Sequence, residues 1–486
     1  MELRRIADAL DARGELVRAP DAAPEIAGVV DDSRRVDGAV LFCAVQGTVA
    51  DGHDYVADAA ARGAVAALVT RVVEAAIPQV VVRDSRIAAA VAAATWYDRP
   101  GDALRLVGVT GTNGKSTTVS LTRHLMNAAG DVAALGTLGV VGGAGERLPD
   151  ATGLTTPGPV ELQATLAALR DRGVRTVVME ISSHALHQRR TAELSFQAGV
   201  YTNLTHEHLD YHGELDAYLA AKALLSDQIE DDGIEVINAD DPAWEALPSR
   251  DRVRRISYGV HRDATVRAVA VEADATGSAL TIRFETYETR TVLPLLGEFN
   301  VSNALAAAAA AWGLGGEPEA VAGALRDAPQ VPGRMERLVS ERYTVLRDYA
   351  HTPDAMLRVL RTLRRVTAAR LIVLFGCGGD RDRGKRAVMG KIAASEADVV
   401  ILTADNPRTE DPERILDDIA AGMAEVPHLR ILDRQDAIHR ALTMLAPGDC
   451  LLLAGKGHET YQIFGTEKHP FDERVIVLDA LGSPAA

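Results

Sequence analysis

Short apolar runs alternate with amphipathic and polar segments along most of this chain. Near the start, the runs at residues 40–45 and 66–69 predict buried strands, and residues 55–62 between them have the spacing of an amphipathic helix. The last third repeats the alternation, with apolar runs at 343–346, 371–374, 399–402 and 450–453. Strands that alternate with helices are typical of α/β folds. We therefore predict an α/β protein whose last third forms a Rossmann-like parallel sheet.

Two turn-rich segments divide this pattern. Residues 99–102 and 329–334 combine proline with glycine, and both residue types interrupt regular elements. A chain of 486 residues is also too long for a single hydrophobic core. We predict three domains, at 1–98, 99–331 and 332–486, with a P-loop-type ATPase domain in the centre.

A glycine-rich segment after the apolar run at 104–109 has the clearest chemical signal. It consists of Thr110, Gly111, Thr112, Asn113, Gly114, Lys115 and Ser116, and a helical pattern follows as far as Ala129. The glycines can adopt positive φ, and the amides of such a turn at a helix N-terminus cradle phosphate. Lysine adds a positive charge, and serine adds a hydroxyl suited to Mg²⁺. The glycine spacing departs from the standard P-loop, so we predict a variant site for a nucleoside triphosphate.

Three features of the central part leave alternatives open when only their residue types are considered. Glu180 follows an apolar run at 174–179, where it is either a magnesium ligand at a sheet edge or a solvated acid. The histidine-rich segment 206–212 lacks the cysteine or helical histidine spacing of a zinc site. Lys222 lies in a helix predicted over 216–229, where a lysine is usually a solvated charge.

In the last third, polar motifs follow the predicted strands. They are the segments 348–351, 376–381, 405–408 and 455–459. The carboxyl ends of parallel strands meet at one edge of a sheet, so these motifs predict a binding site, with ordinary turns as the alternative. The glycine cluster at 376–379 is too weak a signal on its own to indicate a dinucleotide site.

Composition narrows the range of partners. The net charge of −16 argues against nucleic-acid binding, which needs a basic surface. No apolar run is long enough to cross a bilayer, and the first residues lack the apolar segment of a signal peptide. Cys43, Cys377 and Cys450 have neither metal-ligand nor disulfide spacing. We expect a cytoplasmic protein that acts on small molecules and does not insert into a membrane.

Motifs along nearly the whole chain, taken together and in order, resemble those of the Mur ligases, the ATP-dependent amide-forming enzymes of peptidoglycan synthesis. The matching segments are 108–118, 179–186, 203–213, 297–303, 348–353 and 405–408, together with Lys222. The resemblance implies ATP and Mg²⁺ as cofactors, a UDP-muramoyl dipeptide and diaminopimelate as substrates, and a monomer. It also implies that Lys222 is the lysine carbamylated in this family, which gives it an anionic oxygen for a metal.

The resemblance further implies a role for each matching position. The expected ATP-binding residues are Thr110, Gly111, Thr112, Asn113, Gly114, Lys115, Ser116, Asn303, Arg334 and Asp348. The residues expected to hold the uridine nucleotide and its sugar-peptide end are Ser33, Thr48, Val49, Ala50, Thr155, Thr156, Ser182, Gln188 and Arg190. The expected metal ligands are Ser116, Glu180, His208 and Lys222, and the expected catalytic residues are Lys115, Glu180, His208 and Lys222.

The motifs of the last third suggest a pocket for the incoming amino acid. Diaminopimelate has a second carboxylate and a second ammonium at its far end, and arginine forks suit a carboxylate. The expected pocket residues are Arg381, Asp405, Asn406, Pro407, Arg408, Gly455 and Glu459, of which Asp405, Asn406, Glu459 and the Gly455 carbonyl supply acceptors for the ammonium. A lysine substrate has no distal carboxylate and would leave Arg408 unpaired.

Several alternative functions share parts of these motifs. L-lysine or L-ornithine addition and folate polyglutamylation use the same chemistry on another substrate. A P-loop NTPase would hydrolyse ATP without forming an amide, and a nucleotide-sugar binding protein would not need Lys115. ATP turnover that depends on one amine acceptor distinguishes the ligase from these alternatives.

Overall fold

The computed structural model describes residues 1–47, 50–149, 153–205, 207–424 and 426–482. These residues fall into two compact units. Unit 1 comprises 1–267, 283–287 and 303–321, and unit 2 comprises 268–282, 288–302 and 322–486, each within the described ranges. In both units strands alternate with helices, which confirms the predicted α/β class.

The first part of unit 1 is a small sheet flanked by helices. Across the sheet the strands are Leu16–Arg18, Gln79–Val82, Ala66–Val69, Val40–Cys43 and Gly28–Val30, and the helices are Leu3–Ala12, Val56–Ala61 and Ser85–Trp96. The first strand is antiparallel to its neighbour and the others run parallel. Val160, from a later helix, packs into this core, so the segment 1–98 shares its interior with the central part of unit 1.

The central part of unit 1 is a larger sheet. Across it the strands are Arg254–Gly259, Ile229–Asn238, Phe196–Tyr201, Arg105–Thr110, Thr176–Glu180, Val132–Gly136, Gly139–Val141 and Arg147–Leu148. The pairs are parallel as far as Val132–Gly136 and antiparallel beyond it. The helices are Lys115–Met126, Pro159–Asp171, Ser183–His187, Leu209–His212 and Leu215–Ala223. The strand before the glycine-rich turn therefore lies between two parallel neighbours, and its carboxyl end faces the ligand-binding edge of such a sheet.

Two helices of this part are shorter than predicted. The helix expected to reach Ala129 ends at Met126, because the Asn127 side chain accepts a hydrogen bond from the Val132 amide at 2.8 Å and begins the turn. The predicted end of the helix over 216–229 was also wrong. It stops at Ala223, and Ile229 starts a strand that pairs with Phe196.

Further elements follow in the chain, and the first strand among them continues the larger sheet, because Val266 and Arg267 pair in parallel with Tyr258 and Gly259. The strands are Val266–Ala273, Ser278–Phe284 and Tyr287–Leu293, and the helices are Glu298–Gly313 and Pro318–Ala324.

The last third forms a mostly parallel sheet in unit 2. Across it the strands are Glu336–Ser340, Thr344–Asp348, Cys450–Ala454, Leu371–Phe375, Val399–Leu402 and Leu429–Arg430, and the first of these is antiparallel. The helices are Pro353–Val366, Gly384–Glu396, Pro412–Ala420, Arg434–Thr443 and Glu473–Ala480. A separate hairpin pairs Tyr461–Phe464 with Glu467–Pro470. The predicted strands are present, and their carboxyl ends carry the polar motifs.

A search of the helices in the described part of the chain finds none with the length and apolar character needed to cross a bilayer.

Candidate active site

The glycine-rich turn of unit 1 has a backbone that only glycine accommodates. Gly111 has φ +143° and Gly114 has φ +86°. A Cβ at Gly111 would collide with the Thr202 hydroxyl, and a Cβ at Gly114 would collide with the Asn303 amide oxygen. The helix begins directly afterwards at Lys115. The turn therefore has the close packing and the helix N-terminus that a phosphate cradle requires, and the structure brings Asn303 to its side.

Two lysines converge on this turn. The Lys115 ammonium donates to the carbonyl oxygens of Gly111 at 2.9 Å and Thr112 at 2.7 Å. The Lys222 ammonium donates to the same Gly111 oxygen at 2.8 Å and lies 4.4 Å from the centre of the Tyr218 ring. Lys222 is fully buried, and burial, reinforced by the charge of Lys115, holds its pKa well below the ordinary lysine value. Burial therefore makes Lys222 easier to deprotonate than an exposed lysine.

Glu180 occupies the carboxyl end of the strand next to the turn. Its backbone is in register with Val109, and its side chain is buried. The carboxylate accepts hydrogen bonds from the Thr137 amide at 2.8 Å and the Thr137 hydroxyl at 3.2 Å. The sequence left open a solvated acid at this position, and the burial of Glu180 excludes that alternative.

A hydrogen-bonded group surrounds the end of this strand. The Thr156 hydroxyl donates to the Glu180 carbonyl at 2.8 Å, and the Ser182 amide donates to that hydroxyl at 3.0 Å. Arg190 donates to the Thr156 carbonyl at 2.7 Å and to the Gln188 side-chain oxygen at 2.8 Å. Thr155 joins the group because its hydroxyl lies 3.0 Å from that of Thr137. The residues expected to hold the sugar-peptide end are thus gathered beside Glu180.

The expected uridine-side residues are only partly described. Ser33 begins a short 3₁₀ helix, and the Ala50 carbonyl accepts from the Gly47 amide at 2.9 Å. Thr48 and Val49 lie outside the described residues. Asp31, two residues before Ser33, has a carboxylate oxygen 3.2 Å from the position that a Cβ on Gly158 would take. This part of the fold therefore approaches the loop that follows Thr156.

His208 belongs to a cluster of aromatic rings. Its ring centre lies 4.9 Å from that of His184, which also packs against Tyr211 at 4.2 Å and His212 at 5.5 Å. Burial, together with the neighbouring histidines, lowers the pKa of His184 to about 4. Within the described ranges no set of three His, Cys, Asp or Glu side chains is arranged to hold a metal ion. A metal at this edge would therefore need other oxygen donors, such as the Ser116 hydroxyl.

The polar motifs of unit 2 meet at the carboxyl edge of its sheet. The Arg408 guanidinium and the aliphatic stem of Arg381 lie beside Gly378 there: a Cβ at this glycine would lie 2.9 Å from the Arg408 Nη1 and 3.8 Å from the Arg381 Cγ. Arg408 also donates to the Gly379 carbonyl at 2.8 Å and has a positive φ of +52°. The Asn406 carbonyl accepts from the Gly379 amide at 2.9 Å, which ties the two loops together. Pro407 lies between these residues, and a Cβ at Gly379 would collide with its carbonyl oxygen.

Lys456 is a polar residue of this region to which sequence reasoning gave no role. Its buried ammonium donates to the Asn406 side-chain oxygen and to the Glu459 carboxylate, both at 3.1 Å. The Asn406 oxygen also accepts from the Ile463 amide at 3.0 Å. That oxygen is therefore fully used, which differs from the expectation that Asn406 supplies an acceptor for an ammonium. The sequence signal that could have indicated a role for Lys456 was its position between two glycines at the end of a predicted strand.

Asp405 and Gly455 face each other across this edge. A Cβ at Gly455, where φ is +109°, would lie 2.8 Å from a carboxylate oxygen of Asp405. Asp405 is buried, as is Gly455. The residues expected to form the amino-acid pocket are therefore neighbours in unit 2, with Arg381 on its exposed rim.

The remaining residues expected to bind ATP lie in unit 2. Asp348 accepts from the amides of Met335 at 2.6 Å and Ala350 at 2.8 Å, and its burial raises its pKa to about 6. The Arg334 guanidinium stacks over the Tyr349 ring at 4.6 Å. The adjacent Gly333 has φ +65°, and a Cβ there would collide with the backbone of the 455–459 loop. Arg334 and Asp348 are thus grouped with the loops of the amino-acid pocket.

Comparison with known proteins gives the same pattern along the whole chain. Three family models match it: "Mur ligase family, catalytic domain" at residues 25–105, "Mur ligase middle domain" at 109–311, and "Mur ligase, glutamate ligase domain" at 333–457. A UDP-N-acetylmuramoyl-L-alanyl-D-glutamate–2,6-diaminopimelate ligase from Geobacter sulfurreducens is 42% identical, over 99% of this chain and 98% of its own. A ligase of the same name from Thermosynechococcus vestitus is 45% identical, over 91% of this chain and 90% of its own.

Solved structures agree with these matches. A structure of a ligase of the same name superposes with a TM-score of 0.69 at 32% identity and covers 99% of both chains. The MurF ligase of Thermotoga maritima, solved in complex with ADP, has a TM-score of 0.65 at 18% identity, over 93% of this chain and 96% of its own, and shares the fold. The chain therefore belongs to the Mur ligase family.

Proposed function

We propose that this chain is an ATP-dependent ligase that adds meso-diaminopimelate to UDP-N-acetylmuramoyl-L-alanyl-D-glutamate in peptidoglycan synthesis. The observation that carries the proposal is the Arg408 guanidinium beside Gly378, with the stem of Arg381 next to it, in a chain whose relatives are named for this reaction. Planar guanidinium groups recognise a carboxylate with two parallel hydrogen bonds. The distal carboxylate of diaminopimelate is the group that separates this amino acid from lysine and ornithine.

The proposed reaction has two steps. A γ-carboxylate oxygen of the D-glutamate attacks the γ-phosphorus of ATP, and the bond to the departing ADP breaks, which gives an acyl phosphate. The free amine of diaminopimelate then attacks the acyl carbon. The amine loses a proton to solvent as the carbon–oxygen bond breaks, and inorganic phosphate leaves. Lys115 offsets charge on the transferring phosphoryl group, and the cradle amides fix its position.

Each group of residues has a proposed task in this scheme. Residues 110–116 with Asn303, Arg334 and Asp348 bind ATP, and the group around Thr156 and Arg190 orients the sugar-peptide end of the nucleotide. The proposed domain division at 1–98, 99–331 and 332–486 assigns the uridine end to the first domain, through Ser33 and residues 48–50. We place the reaction in the cytoplasm, in keeping with three buried free cysteines, and assign it to a monomer.

Magnesium fits the residues around the cradle through oxygen donors. Ser116, Glu180 and a modified Lys222 would hold the ion through hydroxyl, carboxylate and carbamate oxygens, the hard donors that Mg²⁺ prefers, and His208 would add an imidazole nitrogen. When bound, Mg²⁺ offsets the negative charge of the phosphates. Glu180 contributes through a carboxylate that Thr137 already orients.

Lys222 supports its own modification to a carbamate. Carbamylation needs the neutral amine to attack carbon dioxide, and burial beside Lys115 favours that neutral form. The product replaces the second of two lysine amines on the Gly111 carbonyl oxygen with an anionic group. Removal of bicarbonate is expected to lower activity, and its return is expected to restore it. Unchanged activity after exhaustive removal would contradict the modification.

One assay tests the proposed function. The purified protein is incubated with ATP, Mg²⁺ and the UDP-muramoyl dipeptide, and phosphate release is measured with diaminopimelate, L-lysine, L-ornithine or no amino acid. We expect release that depends on diaminopimelate and a matching amide product by mass spectrometry. Equal release without any amine would identify an NTPase, and preferential use of lysine or ornithine would overturn the substrate assignment.

A further inference from the structure

Lys456 is fully buried although it lies among residues expected to meet the substrate. It follows the strand Cys450–Ala454, and its side chain has no exposed surface. The proposed reaction assigns it no contact with ATP or amino acid. A buried lysine is costly unless its charge is paired. The pairing partners therefore indicate what Lys456 does.

Those partners are two expected pocket residues. The ammonium donates to the Glu459 carboxylate and to the Asn406 side-chain oxygen, each at 3.1 Å. The Asn406 amide nitrogen in turn donates to the same Glu459 oxygen at 2.9 Å. An ammonium can only donate, so Lys456 fixes which end of the Asn406 amide is oxygen and which is nitrogen. Asn406 is thereby held as a donor at this edge of the sheet.

The same network extends to the loop that carries Arg408. The Ile463 amide donates to the Asn406 oxygen at 3.0 Å, and the Ile463 carbonyl accepts from the Arg408 amide at 3.1 Å. The Gln462 side chain donates to the Asp405 carbonyl at 3.0 Å. The hairpin beginning at Tyr461 thus holds Arg408 at its positive φ. Lys456 is linked to this hairpin because its ammonium and the Ile463 amide donate to the same Asn406 oxygen.

Lys456 also changes the charge balance of the pocket. Without it, the charges of Asp405 and Glu459 would offset those of Arg381 and Arg408. With Lys456 bonded to Glu459, these five side chains have one positive charge in excess. The distal end of diaminopimelate has a carboxylate that can pair with the arginines. The distal end of lysine has only an ammonium, which would be repelled by the excess positive charge.

We propose that Lys456 is a positioning residue of the amino-acid pocket and a determinant of its selectivity for an amino acid with a distal carboxylate and ammonium over one with a distal ammonium alone. The inference rests on the proposed function, because it concerns the same pocket. It adds a residue that acts through Asn406 and Glu459 and does not touch the substrate.

The test compares Lys456→Met, Lys456→Gln and the wild-type chain, with Arg370→Met as a matched control. Arg370 pairs with buried Asp449 at 2.6 Å, and the two residues directly precede the strands Leu371–Phe375 and Cys450–Ala454. Loss of Arg370 therefore removes an ion pair of unit 2 at the amino ends of these strands, away from the pocket. The values of kcat and KM are measured for diaminopimelate and for L-lysine, and unfolding is followed by circular dichroism.

We expect Lys456→Met to raise the KM for diaminopimelate about tenfold, the effect of losing a hydrogen bond to a charged group, with the KM for ATP unchanged. The ratio of kcat/KM for diaminopimelate over lysine falls with it. Lys456→Gln keeps a donor but loses the charge, so its KM stays nearer to that of the wild type while the ratio falls. Arg370→Met lowers the unfolding temperature and leaves the ratio unchanged.

Failure of the inference differs from failure of the proposed function. A wild-type chain without amine-dependent phosphate release would overturn both. An active wild-type chain with an unchanged ratio in the folded Lys456 variants would overturn the inference alone, as would an equal change in Arg370→Met. If neither Lys456 variant folds while Arg370→Met does, Lys456 serves folding and the inference is overturned.

Discussion

The proposed phosphate cradle of unit 1 and the proposed amino-acid pocket of unit 2 both lie at the carboxyl ends of parallel strands, but they are built from different contacts. The cradle is a continuous segment, 110–116, whose shape follows from two glycines and the start of a helix. The pocket joins loops that are distant in sequence: Lys456 and Asn406 are 50 residues apart, and Gln462 lies 57 residues from Asp405. A local site fails as a whole when one residue is changed, whereas a distributed pocket loses selectivity by degrees.

The largest effect is expected at the cradle. Lys115→Ala should lower kcat about a thousandfold, because it removes a preorganised positive charge from the transferring phosphoryl group. Phosphate release and amide formation should fall together. Lys391→Ala, which removes an exposed lysine of unit 2, is the control and should leave both unchanged. Activity close to wild type in Lys115→Ala would contradict the role assigned to the cradle.

Gly111→Ala tests whether the cradle depends on its close backbone packing. The added Cβ would collide with the Thr202 hydroxyl at a φ that alanine rarely adopts. We expect nucleotide affinity to fall about a hundredfold or more, measured by calorimetry. Gly130→Ala isolates the backbone cost, because it also has positive φ but would meet no atom within 4 Å. That control should cost about 1 kcal/mol of stability and retain nucleotide binding.

A graded effect is expected at the pocket. Arg408→Lys keeps the charge but loses the planar fork, so kcat/KM for diaminopimelate should fall about ten- to a hundredfold while the KM for ATP stays the same. Arg414→Lys, on an exposed helix position, is the matched control. An all-or-none loss in Arg408→Lys would break the distinction between the two sites, since it would show that the pocket also depends on single residues.

The smallest expected effect is on stability, at the ion pair that holds the loop containing Gly378. Arg386 donates to the Gly378 carbonyl at 3.2 Å and pairs with Glu410, whose pKa it lowers to about 2. A carboxyl group whose pKa is depressed on folding stabilises the fold above its ordinary pKa, and this stability is lost as pH falls. Glu410→Gln should therefore destabilise unit 2 by about 1 kcal/mol at neutral pH.

The difference in stability between Glu410→Gln and the wild type should close as the pH falls from about 4.5 to about 2. Urea unfolding at several pH values measures it. Glu467→Gln, at an exposed position of the hairpin, should match the wild type throughout. A difference that stays constant with pH would exclude a charge-based support by Glu410.

The sequence predicted the glycine-rich turn and the start of its helix well, because the information for both is local. The spacing of Gly111, Gly114 and Lys115 encodes the turn and the start of the helix. The end of that helix was wrong by three residues, because a tertiary hydrogen bond from Val132 to the Asn127 side chain ends it early. Tertiary contacts of this kind leave no periodic pattern in the sequence.

The pocket could be predicted only in part. Arg381 and Arg408 were expected from the charge of the substrate, and their neighbourhood to Gly378 follows from the strand order. The orientation of Asn406 could not be predicted, because it depends on which distant side chain reaches its oxygen. No local pattern in the sequence distinguishes Lys456, between two glycines, from a solvated lysine, and only the folded chain shows that it is buried.

Gly333 anchors the segment 329–334, which the sequence predicts to be a linker. Its amide donates to Glu336 at 2.7 Å, its carbonyl accepts from the Tyr349 amide at 2.9 Å, and its α-carbon leaves no room for a side chain beside Gly457. The segment thus packs against the loop that carries the proposed pocket residues Gly455 and Glu459, and a flexible tether of equal length would lose these contacts. Insertions or deletions in this segment, natural or engineered, should therefore alter which amino acid the protein accepts.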